Sequence, residues 1–242
     1  MESPLPSQAA PPAPSLVAPR RRLPLPRAAC WALALLALAA LLASDIWWME
    51  QARALRTAAD AHFGARSGRS LRQILQIPAR GWLTAILFVL LLAFDRRRAR
   101  AFLLVAVALA VGLTGFVCKD LFGRERPAVG FNHTHAFRIV FSGPTHGLHN
   151  ARYQSFPSGH AAGAGAHAVA LSAFYPAWAP VFWGIALVSG AERVYHEKHF
   201  PSDVLAGFLL AQGLGGSLVR SPRLIALCER LAARLRPMSR LD

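Results

Sequence analysis

Six runs of apolar residues limit what this chain can fold into. They occupy positions 28–43, 81–94, 101–118, 161–175, 181–191 and 204–219, and they help make the sequence 54% hydrophobic with only 16% of its 242 residues charged. Soluble domains usually carry roughly 25% charged residues. A helix crossing a bilayer needs about 20 apolar residues, within a range of about 17–25. The first and third runs approach that on their own, and the others draw on flanks rich in Trp, Pro, Arg and His, which suit a membrane interface. The economical fold is all-α, a bundle of six transmembrane helices over residues 28–219. The alternative is a very apolar soluble protein with short core helices.

A formal net charge of +15 suggests nucleic acid at first sight. The arginines are placed otherwise. Arg20, Arg21, Arg22 and Arg27 precede the first run, Arg96, Arg97, Arg98 and Arg100 separate the second from the third, and Arg220 to Arg240 follow the last. If every run spans, these positions share one side, and the positive-inside bias makes that side the cytoplasm, with both termini in it and no nucleic-acid partner. Arg53, Arg56, Arg66, Arg69, Arg72 and Arg80 run against the bias, in a longer loop that obeys it less strictly. Residues 1–27, rich in proline and arginine, read as a disordered cytoplasmic tail, and residues 220–242 as a basic cytoplasmic tail. With 27 residues ahead of it, the first run reads as an uncleaved anchor rather than a signal peptide. Cys30, Cys118 and Cys228 show no short spacing, so neither a disulfide framework nor a zinc site is indicated.

Polar residues gather at the ends of these runs. "KDLFGRERP" follows the third and supplies Lys119, Arg124, Arg126 and Pro127; "PSGH", residues 157–160, opens the fourth; "ERVYHEKHFPSD" joins the fifth to the sixth and holds Arg193, His199 and Asp203. Alternating helix directions put all three clusters at one face, the outer one. Each has a structural reading by itself. Lys119 and Arg126 are placed to snorkel, Ser158 to cap a helix, and Asp203 to favour a helix N-terminus. Together they supply a cationic cradle, two imidazoles, a carboxylate and free helix amides, which is equipment for binding and attacking a phosphate.

Lys119 followed by six residues and Arg126-Pro127, then Pro157-Ser158-Gly159-His160, then Arg193 with five residues to His199 and three to Asp203, resemble the three signature motifs of the type 2 phosphatidic acid phosphatase (PAP2) family. That family includes bacterial lipid phosphate and pyrophosphate phosphatases and shares its core with vanadium haloperoxidases. One position departs: the residue before the motif arginine is usually small, commonly serine, and here it is Glu192.

The resemblance implies roles that the side chains can fill. His199 is the expected nucleophile, forming a phosphohistidine. Asp203 hydrogen-bonds its far nitrogen and fixes the tautomer. His160 protonates the leaving oxygen and then activates water. Lys119, Arg126 and Arg193 bind the phosphate oxygens, with the Ser158 hydroxyl and the amides of Ser158 and Gly159. No carboxylate cluster is available for magnesium, so neither a metal nor another cofactor is expected. Glu192 is expected to hold His196 or an outer-loop arginine, to one side of the chemistry. His167, two turns into the helix after the motif, reads as an interior histidine with a hydrogen bond. His133, His135, His146 and His149 read as part of a recognition loop over residues 128–156.

The expectation is thus a membrane phosphatase of the bacterial inner membrane, its site facing the periplasm, hydrolysing a lipid phosphate or diphosphate without metal. Undecaprenyl diphosphate, phosphatidylglycerol phosphate, phosphatidate and a lipid A phosphate all present the same group to such a cradle. Two alternatives stand beside it: a phosphotransferase that passes the phosphoryl group from a polyprenyl diphosphate to another lipid, and a non-catalytic membrane binding protein or transporter of the same fold.

Overall fold

Backbone amides and carbonyls have no water to bond in a bilayer, so an apolar run there closes its hydrogen bonds within itself, as a helix. The computed structural model describes residues 16–19, 26–63, 73–148 and 150–235. Its helices are α1 (Arg27–Phe63), α2 (Gly81–Phe94), α3 (Ala99–Phe122), the short α4 (Pro127–Thr134), α5 (Gly159–Phe174), α6 (Ala179–Tyr195), α7 (Pro201–Leu210) and α8 (Pro222–Arg234). A π turn (Ala211–Gly215) and a last helical turn (Gly216–Leu218) continue α7. Among the described residues there is no strand, only an isolated bridge between Arg124 and Phe141.

Every apolar run falls on one of these helices, and the chain is a membrane protein. Leu33, Leu35 and Leu36 of α1 and Leu109 and Leu113 of α3 point outward, the pattern of a lipid-facing surface. The six-span count is not what helix length gives. By length and composition α1 and α3 can cross a membrane, and up to four spans result if each bent pair of helices counts as one. The 16 residues of α5 and the 17 of α6 reach only about 24–26 Å at 1.5 Å per residue. Helix α5 lies at the centre, packed by α3, α6 and α7. There its Ala and Gly residues serve close packing rather than contact with lipid.

Two close approaches fix α5 against α7. A Cβ added at Gly207 would lie 2.6 Å from the Ser158 carbonyl oxygen, and one at Gly165 would lie 2.8 Å from the Ala211 Cβ. The two backbones therefore meet where no larger residue fits, and the N-terminus of α5 lies against α7.

Three segments depart from expectation. Helix α1 does not stop at its apolar run but continues to Phe63, about 55 Å in all. That extension accounts for two arginines that opposed the charge bias. Arg53 forms an ion pair with the buried Glu197 and stacks its guanidinium 3.3 Å above the Phe131 ring, and Arg56 Nη1 lies 3.2 Å from Glu197 Oε1. Arg66, Arg69 and Arg72 lie outside the described residues. Part of the tail expected to be disordered is docked instead. Leu16 and Val17 are buried in the core, the Ala18 amide donates to the Ala173 carbonyl at 2.9 Å, and Arg100 Nε donates to the Leu16 carbonyl at 2.8 Å. Residues 1–15 and 20–25 lie outside the description. At the other end, the expected basic tail contains α8, amphipathic and capped by Ser221, with Cys228 buried among the core residues; residues 236–242 lie outside.

At the site end an ion-paired bolt joins α1 to α7. Arg124, with 0% exposure, reaches Asp45 Oδ2 at 2.8 Å and Asp203 Oδ1 at 2.5 Å. Asp45 also accepts from the Ser202 amide at 3.0 Å and from the Ser202 hydroxyl. Removing the guanidinium leaves two buried carboxylates together, a change that costs about 3–5 kcal/mol. Arg124→Ala should therefore melt far below the wild type in detergent. Arg56→Ala, whose side chain is 35% exposed, should shift by no more than about 1 kcal/mol. Equal melting temperatures for wild type and Arg124→Ala would contradict this account.

Candidate active site

The chain enters and leaves the bundle end three times, and each passage delivers part of the expected set. Lys119 lies in the last turn of α3, and its Nζ is 3.1 Å from where a Cβ on Gly159 would sit. The absence of a side chain at Gly159 is thus what lets the ammonium reach the start of α5. Arg126 is the N-cap residue of α4, with Nε donating to the Ala151 carbonyl at 2.8 Å and Nη2 to the Gln154 carbonyl at 3.4 Å. Arg193 lies in the last turn of α6 and Asp203 in the first turn of α7, with His199 in the connection between them. His160, the second residue of α5, lies within electrostatic reach of Arg193, His199, Lys119 and Arg126. The structure gathers all eight expected residues at one end of the bundle.

The hydrogen bonds around His199 decide its tautomer. Its Nδ1 lies 2.8 Å from the Ser155 carbonyl oxygen, which can only accept, so Nδ1 carries the proton and Nε2 keeps a lone pair. Asp203 was expected to make this bond. Its Oδ2 is 3.7 Å from Nδ1, beyond hydrogen-bond distance, and is held by the Ser155 hydroxyl at 2.6 Å and the Phe200 amide at 2.8 Å. The carboxylate is near enough to stabilise a positive imidazole, while the backbone carbonyl sets the proton. His199 is 1% exposed, and burial pushes its imidazole down to about 4. At neutral pH it is a free base.

Ser158 differs from expectation in one respect. Its hydroxyl caps α5 by accepting from the Ala161 amide at 3.4 Å, which leaves the O–H proton to donate. Its own amide donates to the Asp203 carbonyl at 2.9 Å and is not available to a phosphate. The close contact of α5 with α7 takes up that donor. The first amides of α5 beyond it have no acceptor within the helix.

Several residues that shape the site escaped the sequence reading. Asp45 interrupts an apolar helix, and a buried acid in such a segment is a signal of function or pairing. Arg124, read among the cationic residues, is a strut rather than part of the cradle. Ser155 bears on both His199 and Asp203, and nothing in its sequence position marks it. Glu125, 1% exposed, accepts from Arg152 Nη2 at 2.6 Å and from Arg138 Nε at 3.2 Å, which straps the 128–156 segment to the residues before α4. His133, His135 and His146 of that segment are exposed, and His149 lies outside the described residues. His167 is a buried structural histidine: its Nδ1 bonds the Pro78 carbonyl at 3.0 Å and its Nε2 the Thr84 hydroxyl at 2.8 Å. Glu192 lies 3.7 Å from His196, as expected, but also 3.3 Å from Arg193 Nη1.

The chain is similar to several known proteins. Two curated relatives are described as lipid A 1-phosphatase. That of Rhizobium johnstonii is 37% identical over 108 residues, 45% of this chain and 41% of the relative. That of Rhizobium etli is 35% identical over 96 residues, 40% of this chain and 39% of the relative. The matched region spans about two-fifths of the length of each. A solved structure, the first transmembrane PAP2-type phosphatidylglycerolphosphate phosphatase from Bacillus subtilis, superposes with a TM-score of 0.50 at 20% identity, covering 87% of this chain and 98% of that one. It shows a shared fold. The sequence profile of the PAP2 superfamily matches residues 99–224, slightly more than half the chain and the stretch that carries all three motifs. By that match, the chain belongs to the PAP2 superfamily.

Proposed function

We propose that the protein is a membrane phosphatase that hydrolyses a lipid phosphate or diphosphate through a phosphohistidine on His199. The observation that carries this reading is the fixed tautomer of His199: Nδ1 is tied to a backbone carbonyl, which leaves Nε2 its lone pair, and the charges of Arg126 and Lys119 act on the ring. In the first step Nε2 attacks phosphorus, the bond from phosphorus to the lipid oxygen breaks, and His160 gives that oxygen a proton. In the second, His160 takes a proton from water, whose oxygen attacks phosphorus as the bond from Nε2 to phosphorus breaks, which releases orthophosphate and restores both histidines. The three cations neutralise the phosphate oxygens as charge moves. Asp203 balances the imidazole while it is positive, and the Ser158 hydroxyl and first α5 amides complete the donor set. The chemistry calls for no cofactor.

The relatives' names make the 1-phosphate of lipid A the first substrate to assay. The 128–156 segment, strapped beside the cradle by Glu125, is the element to judge the lipid headgroup. The arginine distribution favours a bacterial inner membrane with both termini cytoplasmic and the site periplasmic. Arg96–Arg100 and α8 lie at the opposite end of the helices from His199, and Arg53 and Arg56, which opposed the rule, are paired with Glu197. A phosphotransferase would share the first step and differ only in replacing water by a lipid acceptor.

Brief incubation with ³²P-labelled lipid phosphate and an acid-free quench should trap labelled protein that loses its label in acid but not in base, with no label on His199→Ala. His199→Ala should keep less than about a hundredth of wild-type turnover. Label on the variant would remove His199 as nucleophile.

The depressed basicity of His199 gives a second test. Its unperturbed value is about 6.5, so the folded chain should keep this imidazole neutral as pH falls from 7 to 5 and protonate it near 4. A titration of ¹⁵N-histidine-labelled protein in detergent reads that transition directly. A His199 midpoint between 6 and 7 would contradict the buried free base.

Orientation is tested on a chain whose native cysteines have been replaced. A single cysteine introduced among residues 96–100 should resist an impermeant thiol reagent in spheroplasts, and one among residues 133–146 should react. The opposite pattern would reverse the topology.

A further inference from the structure

Glu192 stands where the resembling motif usually has a small residue, directly before a phosphate-binding arginine. Its side chain is 2% exposed, and contacts among the described residues include these: the Gln76 amide donates to Oε1 at 3.0 Å, Arg193 Nη1 lies 3.3 Å from Oε2, and His196 Nε2 lies 3.7 Å from Oε1. Gln76 comes from the turn before α2 and is itself 8% exposed, so the acid is gripped from a second element. Neighbouring residues on a helix point about 100° apart and do not ordinarily face each other. Here the guanidinium of Arg193 curls back onto the carboxylate beside it.

A carboxylate against such a guanidinium has two effects. It holds the fork in one orientation before substrate arrives, which removes an ordering cost from binding. It also repels a phosphate through a poorly screened interior, where charges a few ångströms apart interact strongly. The second effect matters for turnover. Three cations, Lys119, Arg126 and Arg193, share this end of the bundle, and a phosphate held by all three would leave slowly. We propose that Glu192 is a positioning and charge-balancing residue: it aims Arg193 at the phosphate and loosens the cradle's hold on the released orthophosphate. This rests on the phosphatase reading above.

The test measures kcat, KM and the inhibition constant of orthophosphate for the purified full-length chain in detergent. Glu192→Gln keeps the shape and removes the charge, and the Gln76 amide can turn over to accept from it. That variant should bind orthophosphate about tenfold more tightly and turn over more slowly because product release slows. Gln76→Leu keeps the charge and loses the grip, so kcat should fall without tighter phosphate binding. If Glu192→Gln does not fold, Glu192→Ser carries the same expectation for phosphate. A variant that melts with the wild type and binds orthophosphate equally or more weakly overturns the proposal. A wild-type chain that neither releases nor binds phosphate overturns the phosphatase reading, and this inference with it.

Discussion

One buried guanidinium fixes the geometry on which the site depends. Arg124 supplies the positive charge that two carboxylates need when they are taken out of water, and its planar fork reaches both at once. Its faces are covered as well, with the Phe200 ring centre 4.1 Å and the Phe141 ring centre 5.0 Å away. Through Asp45 it holds α1, and through Asp203 it holds the first turn of α7. The Asp203 carbonyl in turn takes the Ser158 amide, so the start of α5 is set by the same bond network. Two helix N-termini and the loop bearing His199 are thereby placed relative to one another before any ligand arrives.

Close backbone contact is the second constraint. Gly207 against the Ser158 carbonyl and Gly165 against Ala211 leave no room for a side chain between α5 and α7. This proximity explains both what the site gains and what it gives up. It gains a histidine tied by a backbone carbonyl, a partner that cannot titrate. It gives up the Ser158 amide as a phosphate ligand, because that donor is used to join the helices.

The surroundings show how a strongly cationic site is balanced. Glu197 takes Arg53 and Arg56, Glu125 takes Arg138 and Arg152, and Glu192 leans on Arg193. The first two pairings dock the extension of α1 and the 128–156 segment around the site. They turn chain that reads as loop in the sequence into fixed walls around the site.

The sequence alone determined the helical class, because apolar runs in lipid have no alternative to internal hydrogen bonding. It also determined that Lys119, Arg126, Ser158, Gly159, His160, Arg193, His199 and Asp203 would share one end of the bundle, since each stands at the end of a run and successive runs reverse direction. Motif spacing and capping are local signals, carried by neighbours in the chain. The pairings that orient those residues were not legible. Asp45 meets Ser202 across 157 residues and Arg124 across 79, Ser155 meets His199 across 44, and Gln76 meets Glu192 across 116. Which faces of the helices meet decides such contacts. That is settled by the packing of small residues between α5 and α7 and by the need of each buried charge for a partner, so only the tertiary structure could give them.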